Sequence, residues 1–153
     1  MSLTPIRRVV TGNDERGRSS VVWDGPAPNA HPTSMGRVLL AGLPHAELAA
    51  YLQRAEFTVH TDRTITDPVE LRAEVERVRR QGYALVDQEL EAGLRSAAAP
   101  IRNADGQVMA AVNVSVHASR TSMQQLEDEL VPRLLETARH IEQDLLQTGR
   151  PRS

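Results

Sequence analysis

Helical spacing of apolar residues recurs in four stretches of the chain, and short β-branched or alternating runs occupy five others. The first two runs, "IRRVV" and "SSVVW", flank the polar "TGNDERGR" and predict a hairpin over residues 6–23. "DGPAPNAHP" (24–32) carries three prolines and a glycine and predicts a loop. From Ser34 to Ala41 the spacing predicts a helix with Met35, Val38 and Leu39 on one face and Gly42 as its stop. A second helix takes Pro44 as its first residue and buries Leu48, Tyr51 and Leu52.

"TVHTDRTITDP" (58–68) reads as extended or irregular. Asp67-Pro68 then opens the clearest helix, with Asp67 as cap, Glu70 completing a capping-box-like pattern, Leu71, Val75 and Val78 as its stripe, and Gly82 at its end. Three strands follow, over 83–90, 95–103 and 108–117, the last two joined by the Asp-Gly turn of "ADGQ". From Thr121 the chain is helical again, with Leu126, Leu130, Leu134, Ile141 and Leu145 as the buried line. Pro132 should kink that helix, and "TGRPRS" should fray. Helices followed by a strand meander and a final helix predict an α+β fold, with helices packed on an antiparallel sheet.

Composition narrows this picture. A chain of 153 residues has the size of one domain. Aromatic residues make up 3% of it, so the core must be built from Leu, Val, Ile and Ala. There is no cysteine, which excludes a disulfide framework and thiolate chemistry. No apolar run is long enough to span a bilayer and no signal peptide opens the chain, so the expectation is a cytoplasmic protein without a membrane partner. A formal net charge of −2 argues against direct DNA binding, which needs a concentrated basic face.

Candidate chemistry is confined to three places. "HPTSMGRVLLAG" (31–42) runs a small polar cluster into a helix. Thr33 or Ser34 reads as a cap, or the first-turn N–H groups as holders of a carboxylate. In "VNVSVH", alternation puts Asn113, Ser115 and His117 on one face and three valines on the other, so the polar face either meets solvent or lines a cavity with Ser96. "VDQELEAGLRS" sets Asp87, Glu89 and Glu91 at alternate positions, as a general base, a metal site or an acidic strand edge. No histidine stands at metal-ligand spacing, each of the five reads as structural or exposed, and no P-loop, nucleophile elbow or zinc-protease motif occurs. An enzyme, a metal and a cofactor are therefore not expected.

"HPTSMGRVLLAGLP", the long "TDRTITDPVELRAEVERVRRQGYALVDQELEAGLRSAAAPIRNADGQVMAAVNVSVHASR" and the closing helix resemble the effector-binding domain of IclR-type bacterial transcriptional regulators. The resemblance covers residues 31–148 as one domain. "TSMGRVLLA" and "NVSVHASR" are most similar to the subgroup that controls aromatic-acid catabolism through the β-ketoadipate route. It implies a GAF-like fold, a homodimer or homotetramer and a small carboxylic-acid effector. Carried over by position, the ligand-binding set is Thr33, Ser34, Met35, Asp87, Glu89, Ser96, Asn113 and Ser115. On that likeness the opening stretch becomes a ligand mouth.

Residues 1–30 depart from the pattern. Nothing in them resembles the family's DNA-binding part, and residues 7–29 resemble the leader of small cupin proteins without the cupin metal motif. The expectation is thus a ligand-sensing, oligomerising domain without a DNA-binding domain of its own. The alternatives are a small cupin-related or GAF-like enzyme, or a plain dimerisation module with a vestigial pocket.

Overall fold

The computed structural model describes residues 7–13, 19–26 and 30–148. Strands β1 (Arg7–Asn13) and β2 (Ser19–Pro26) form an antiparallel pair with a register shift at Val10/Thr11. The hairpin is the one predicted, but it is longer, since residues 11–13, read as turn, and 24–26, read as loop, are paired strand residues. The polar turn joining them, residues 27–29 of the loop and most of the C-terminal tail lie outside the described residues. Three helices follow: α1 (Ser34–Ala41), α2 (His45–Arg54) and α3 (Pro68–Gln81). Then come β3 (Ala84–Asp87), β4 (Leu94–Arg102) and β5 (Val108–His117), a three-stranded antiparallel sheet in the order β3-β4-β5.

Each face of this sheet has its own helices. On one side Ala84 and Ala98 pack with Val38 of α1 and Val78 of α3. On the other, Leu85, Ala97, Ala99 and Ile101 meet Leu126, Val131, Leu134 and Ala138 of the C-terminal helix. The run of alanines in β4 is what lets helices approach both faces closely. Helix α2 lies outside the sheet and packs against α1 and α3 through Leu40, Leu48, Leu52, Leu71 and Val75. This is the α+β arrangement expected.

Helix ends follow their local chemistry. Asp67 accepts from the Val69 N–H, Pro68 stands at the first turn, and Gly82 closes α3 in the left-handed region at φ 86°. Pro44 is the residue before α2 rather than its first. Gly42 does not close α1 through a left-handed turn, since its φ is −79°. Its hydrogen atom matters for another reason: a Cβ there would lie 2.5 Å from Cβ of Val108.

The C-terminal helix is composite. A capping box at Ser122 and Gln125 starts α4 (Met123–Gln125), a π-helical turn spans Leu126–Leu130, and α5 runs over Val131–Thr148. Pro132 has no N–H and its ring would press on the carbonyl of residue 128 in a regular helix. A widened turn stands just before it, in which the Val131 N–H reaches back to the Leu126 carbonyl. Leu145, expected on the buried line, is 43% exposed. The helix reaches the end of β4 at Glu142, whose carboxylate accepts the Arg102 N–H, so Leu145 lies beyond the strand.

Candidate functional site

Helix α1 begins against the sheet. Thr33 is its cap, extended at φ −109° and ψ 147°. The Thr33 hydroxyl accepts the Gly36 N–H at 3.0 Å and donates to the Ala30 carbonyl at 2.8 Å. Arg37 N–H donates to the Thr33 carbonyl at 3.1 Å. The amides of Ser34 and Met35 have no acceptor among the described residues. The first turn is therefore capped, and these two N–H groups without an acceptor among the described residues lie at the positive end of the helix dipole. Gly36 makes the tight approach of residues 30–33 possible, because a Cβ there would lie 1.8 Å from the Ala30 carbonyl oxygen.

Ser34 is 2% exposed, and Met35 packs against the cluster that Val38 and Val78 form with Ala84 and Ala98 of the sheet. Strand register brings Ser96 opposite Ser115 and Ala98 opposite Asn113. Paired residues share a face, so Ser96, Asn113 and Ser115 lie on the α1 side, while Val112, Val114 and Val116 face α5. Asn113 donates to the Ser115 hydroxyl at 3.2 Å, and both side chains are exposed, whereas Ser96 is buried. Thr33, Ser34, Met35, Ser96, Asn113 and Ser115 thus stand on one side of the sheet.

The two acids of the expected set are placed differently. Asp87 pairs with Arg95, opposite Val116, on the α5 side of the sheet; the Arg95 Nε donates to it at 2.7 Å, and Arg63 pairs with it as well. Burial works against its carboxylate, and Arg95, Gln88 and Arg63 outweigh burial, holding its pKa below the usual range. Glu89 is no longer in a strand. β3 stops at Asp87, Gln88 turns at φ 59°, and the hydroxyls of Thr61 and Thr64 take the carbonyls of Gln88 and Glu89 at 2.7 and 2.6 Å.

That turn swings the Glu89 carboxylate onto Arg37, which is 1% exposed in the middle of α1. Arg37 also donates from Nε to the His31 carbonyl at 3.0 Å and lies 3.7 Å from Glu74 of α3. Burial raises the Glu89 pKa against the opposing pull of Arg37. Burial also raises Tyr51, and it lowers His31 to about 4, with Arg37 and His60 adding to the effect. The sequence offered one sign of this cluster, an arginine inside the apolar stripe "SMGRVLLA", and its acid partners come from 37 and 52 residues away.

Elsewhere, a groove of about 970 Å³ opens at the far end of α1 between Leu43, Val78, Val108 and Met109. Arg79 crosses its floor and donates to the Ala41 and Leu43 carbonyls at 2.9 and 2.8 Å, satisfying the end of α1.

The family profile described as "Bacterial transcriptional regulator IclR C-terminal" matches residues 6–143, so β1, β2 and the cupin-like stretch lie within the matched span. The chain belongs to this family. The Pca regulon regulatory protein of Pseudomonas putida is 49% identical over 112 residues, 73% of this chain and 38% of that protein. The p-hydroxybenzoate hydroxylase transcriptional activator of Acinetobacter baylyi is 34% identical over 112 residues, 73% of this chain and 41% of that protein. The chain therefore spans less than half the length of these two relatives.

Among solved structures, a transcriptional regulator of Rhodococcus sp. RHA1 superposes with a TM-score of 0.80 at 48% identity, over 96% of this chain and 56% of that one. The inducer-binding domain of a PobR double mutant from Acinetobacter, solved as its complex with 3-hydroxybenzoic acid, gives a TM-score of 0.73 at 31% identity, over 80% of this chain and 69% of that one.

Proposed function

We propose that this chain senses a small aromatic carboxylic acid and transmits its binding through association with further subunits, as a homodimer or homotetramer. The observation that carries the reading is the first turn of α1, where the amides of Ser34 and Met35 have no acceptor among the described residues and lie on the side of the sheet that bears Ser96, Asn113 and Ser115. A carboxylate docks on those amides and the helix dipole, and the ring lies along the polar sheet face. Asp87 and Glu89 serve the site from outside: Glu89 fixes α1 through Arg37, and Asp87 ties β3 to β4 and to residue 63. The ligand acts by favouring one subunit arrangement over another in proportion to its differential affinity.

Chemistry on a substrate forms no part of this reading, and the relatives named above are regulators. A cytoplasmic location goes with it, and among the described residues no helix is long and apolar enough to cross a membrane. With a net charge of −2 the chain should give no tight, salt-sensitive gel shift with DNA on its own.

A thermal-shift series with protocatechuate, 4-hydroxybenzoate and benzoate tests the proposal. An acid at 100 times its dissociation constant adds about 2.7 kcal/mol, a rise of several degrees at this size. Ser34→Pro removes one amide while suiting the first helical position, and it should abolish the shift without unfolding the chain. Asn113→Leu should do the same from the sheet. No shift with any acid would leave a plain dimerisation module, a reading that the exposure of Asn113 and Ser115 favours.

A further inference from the structure

His31 lies in the segment that leads into α1, and its side chain is enclosed: the residue is 1% exposed and its ring meets that of Phe57 at 5.0 Å. Nδ1 is 3.3 Å from the Tyr51 hydroxyl. Nε2 has no hydrogen-bond partner, the one buried side-chain nitrogen or oxygen in that condition among the described residues.

The neighbours decide which nitrogen carries the proton. Nδ1 of His31 is the one hydrogen-bond partner of the Tyr51 hydroxyl among the described residues. The O–H donates, and Nδ1 is the acceptor within reach. Burial opposes a second proton on the ring, and Arg37 and His60 add to that opposition. One proton remains, on Nε2, in a place that offers it no acceptor. Enclosed groups of this kind are met in proteins by ordered water or by a ligand.

We infer that the Nε2–H of neutral His31 is a built donor site for one oxygen acceptor, either an ordered water or an oxygen of a bound organic acid. The water source stands apart from the effector reading, and the acid source rests on it.

Nitrogen-15 NMR of the full chain labelled at histidine, at pH 7, tests this. The signals of His31 are those that vanish in His31→Gln, or, if that variant does not fold, those in contact with the Phe57 ring. The expected result is an unprotonated Nδ1 and a protonated Nε2 whose proton exchanges slowly with solvent. Tyr51→Phe should shift the Nδ1 signal, because its donor is gone. If water is the acceptor, the Nε2 proton shows a cross-peak to a long-lived water and ignores added 4-hydroxybenzoate. If the acid is, 4-hydroxybenzoate shifts the Nε2 signal and saturates with the thermal shift. An imidazolium, a proton on Nδ1, or an Nε2 proton that exchanges as fast as those of the exposed histidines overturns the inference. Failure of the effector reading alone leaves the tautomer and the slow exchange intact.

Discussion

At Gly36 the backbone leaves no room for a methyl group. The Ala30 carbonyl oxygen would stand 1.8 Å from the new carbon, and both partners are main chain. Gly36→Ala should therefore push residues 30–33 off the helix and cost at least the 1–3 kcal/mol typical of overpacking, measured by urea unfolding. Nearby, Glu89→Ala strands a buried guanidinium. Breaking one side of such a pair costs about 3–5 kcal/mol, and the more distant Glu74 offsets part of that here. Glu89→Gln keeps a hydrogen-bond acceptor and should lose less. His31 gives the pH signature. Its folded pKa of about 4 lies below the unfolded 6.5, so its contribution is present above about pH 6.5 and is lost as pH falls toward 4. The amount is about 3 kcal/mol. Glu89 titrates with the opposite sign, since its pKa is raised, and its contribution falls as pH rises through that value. Subtracting the His31→Gln stability profile from that of the parent isolates the histidine, and a flat difference between pH 4 and 6.5 would contradict the assignment.

Elements were legible wherever one face alone is buried. The stripe Leu71, Val75, Val78 and the Asp67-Pro68 start of α3 could be read directly, because α3 packs on one side and meets solvent on the other. Helix α1 could not be read that way. It is enclosed by the sheet, α2 and α3, so its buried residues are Ser34, Gly36, Arg37, Val38 and Leu40 rather than a stripe through Leu39. Periodicity assumes a polar side, and α1 has almost none. The end of β3 was missed for a different reason: the hydroxyls that claim the Gln88 and Glu89 carbonyls come from Thr61 and Thr64, out of reach of any local pattern. The capping box at Ser122 is local, and Ser122→Ala should cost about 1 kcal/mol of stability, visible as a small fall in urea midpoint. Arg79→Met tests the far end of α1. Two carbonyls would lose their donor, with an expected loss of about 1–3 kcal/mol by the same measurement.

At the level of the whole molecule, half of the candidate site was visible in the residues and half in their assembly. The polar row Asn113 and Ser115 and the small cluster at Thr33 and Ser34 can be found in the sequence. Their placement on one side of the sheet depends on the register of β4 and β5 and on the packing of α1 against Ala84 and Ala98. The buried ion pair adds something that neither half conveys. Arg37 joins α1 to the turn at Glu89 and to Glu74 of α3. Sliding or rotating α1 by a single residue would pull that guanidinium from its acids into an apolar interior. Helix α1 is therefore keyed to its neighbours, like a shaft pinned in a hub. Any displacement of α1 must carry Glu74 of α3 and the turn at Glu89 with it or break their pairing with Arg37.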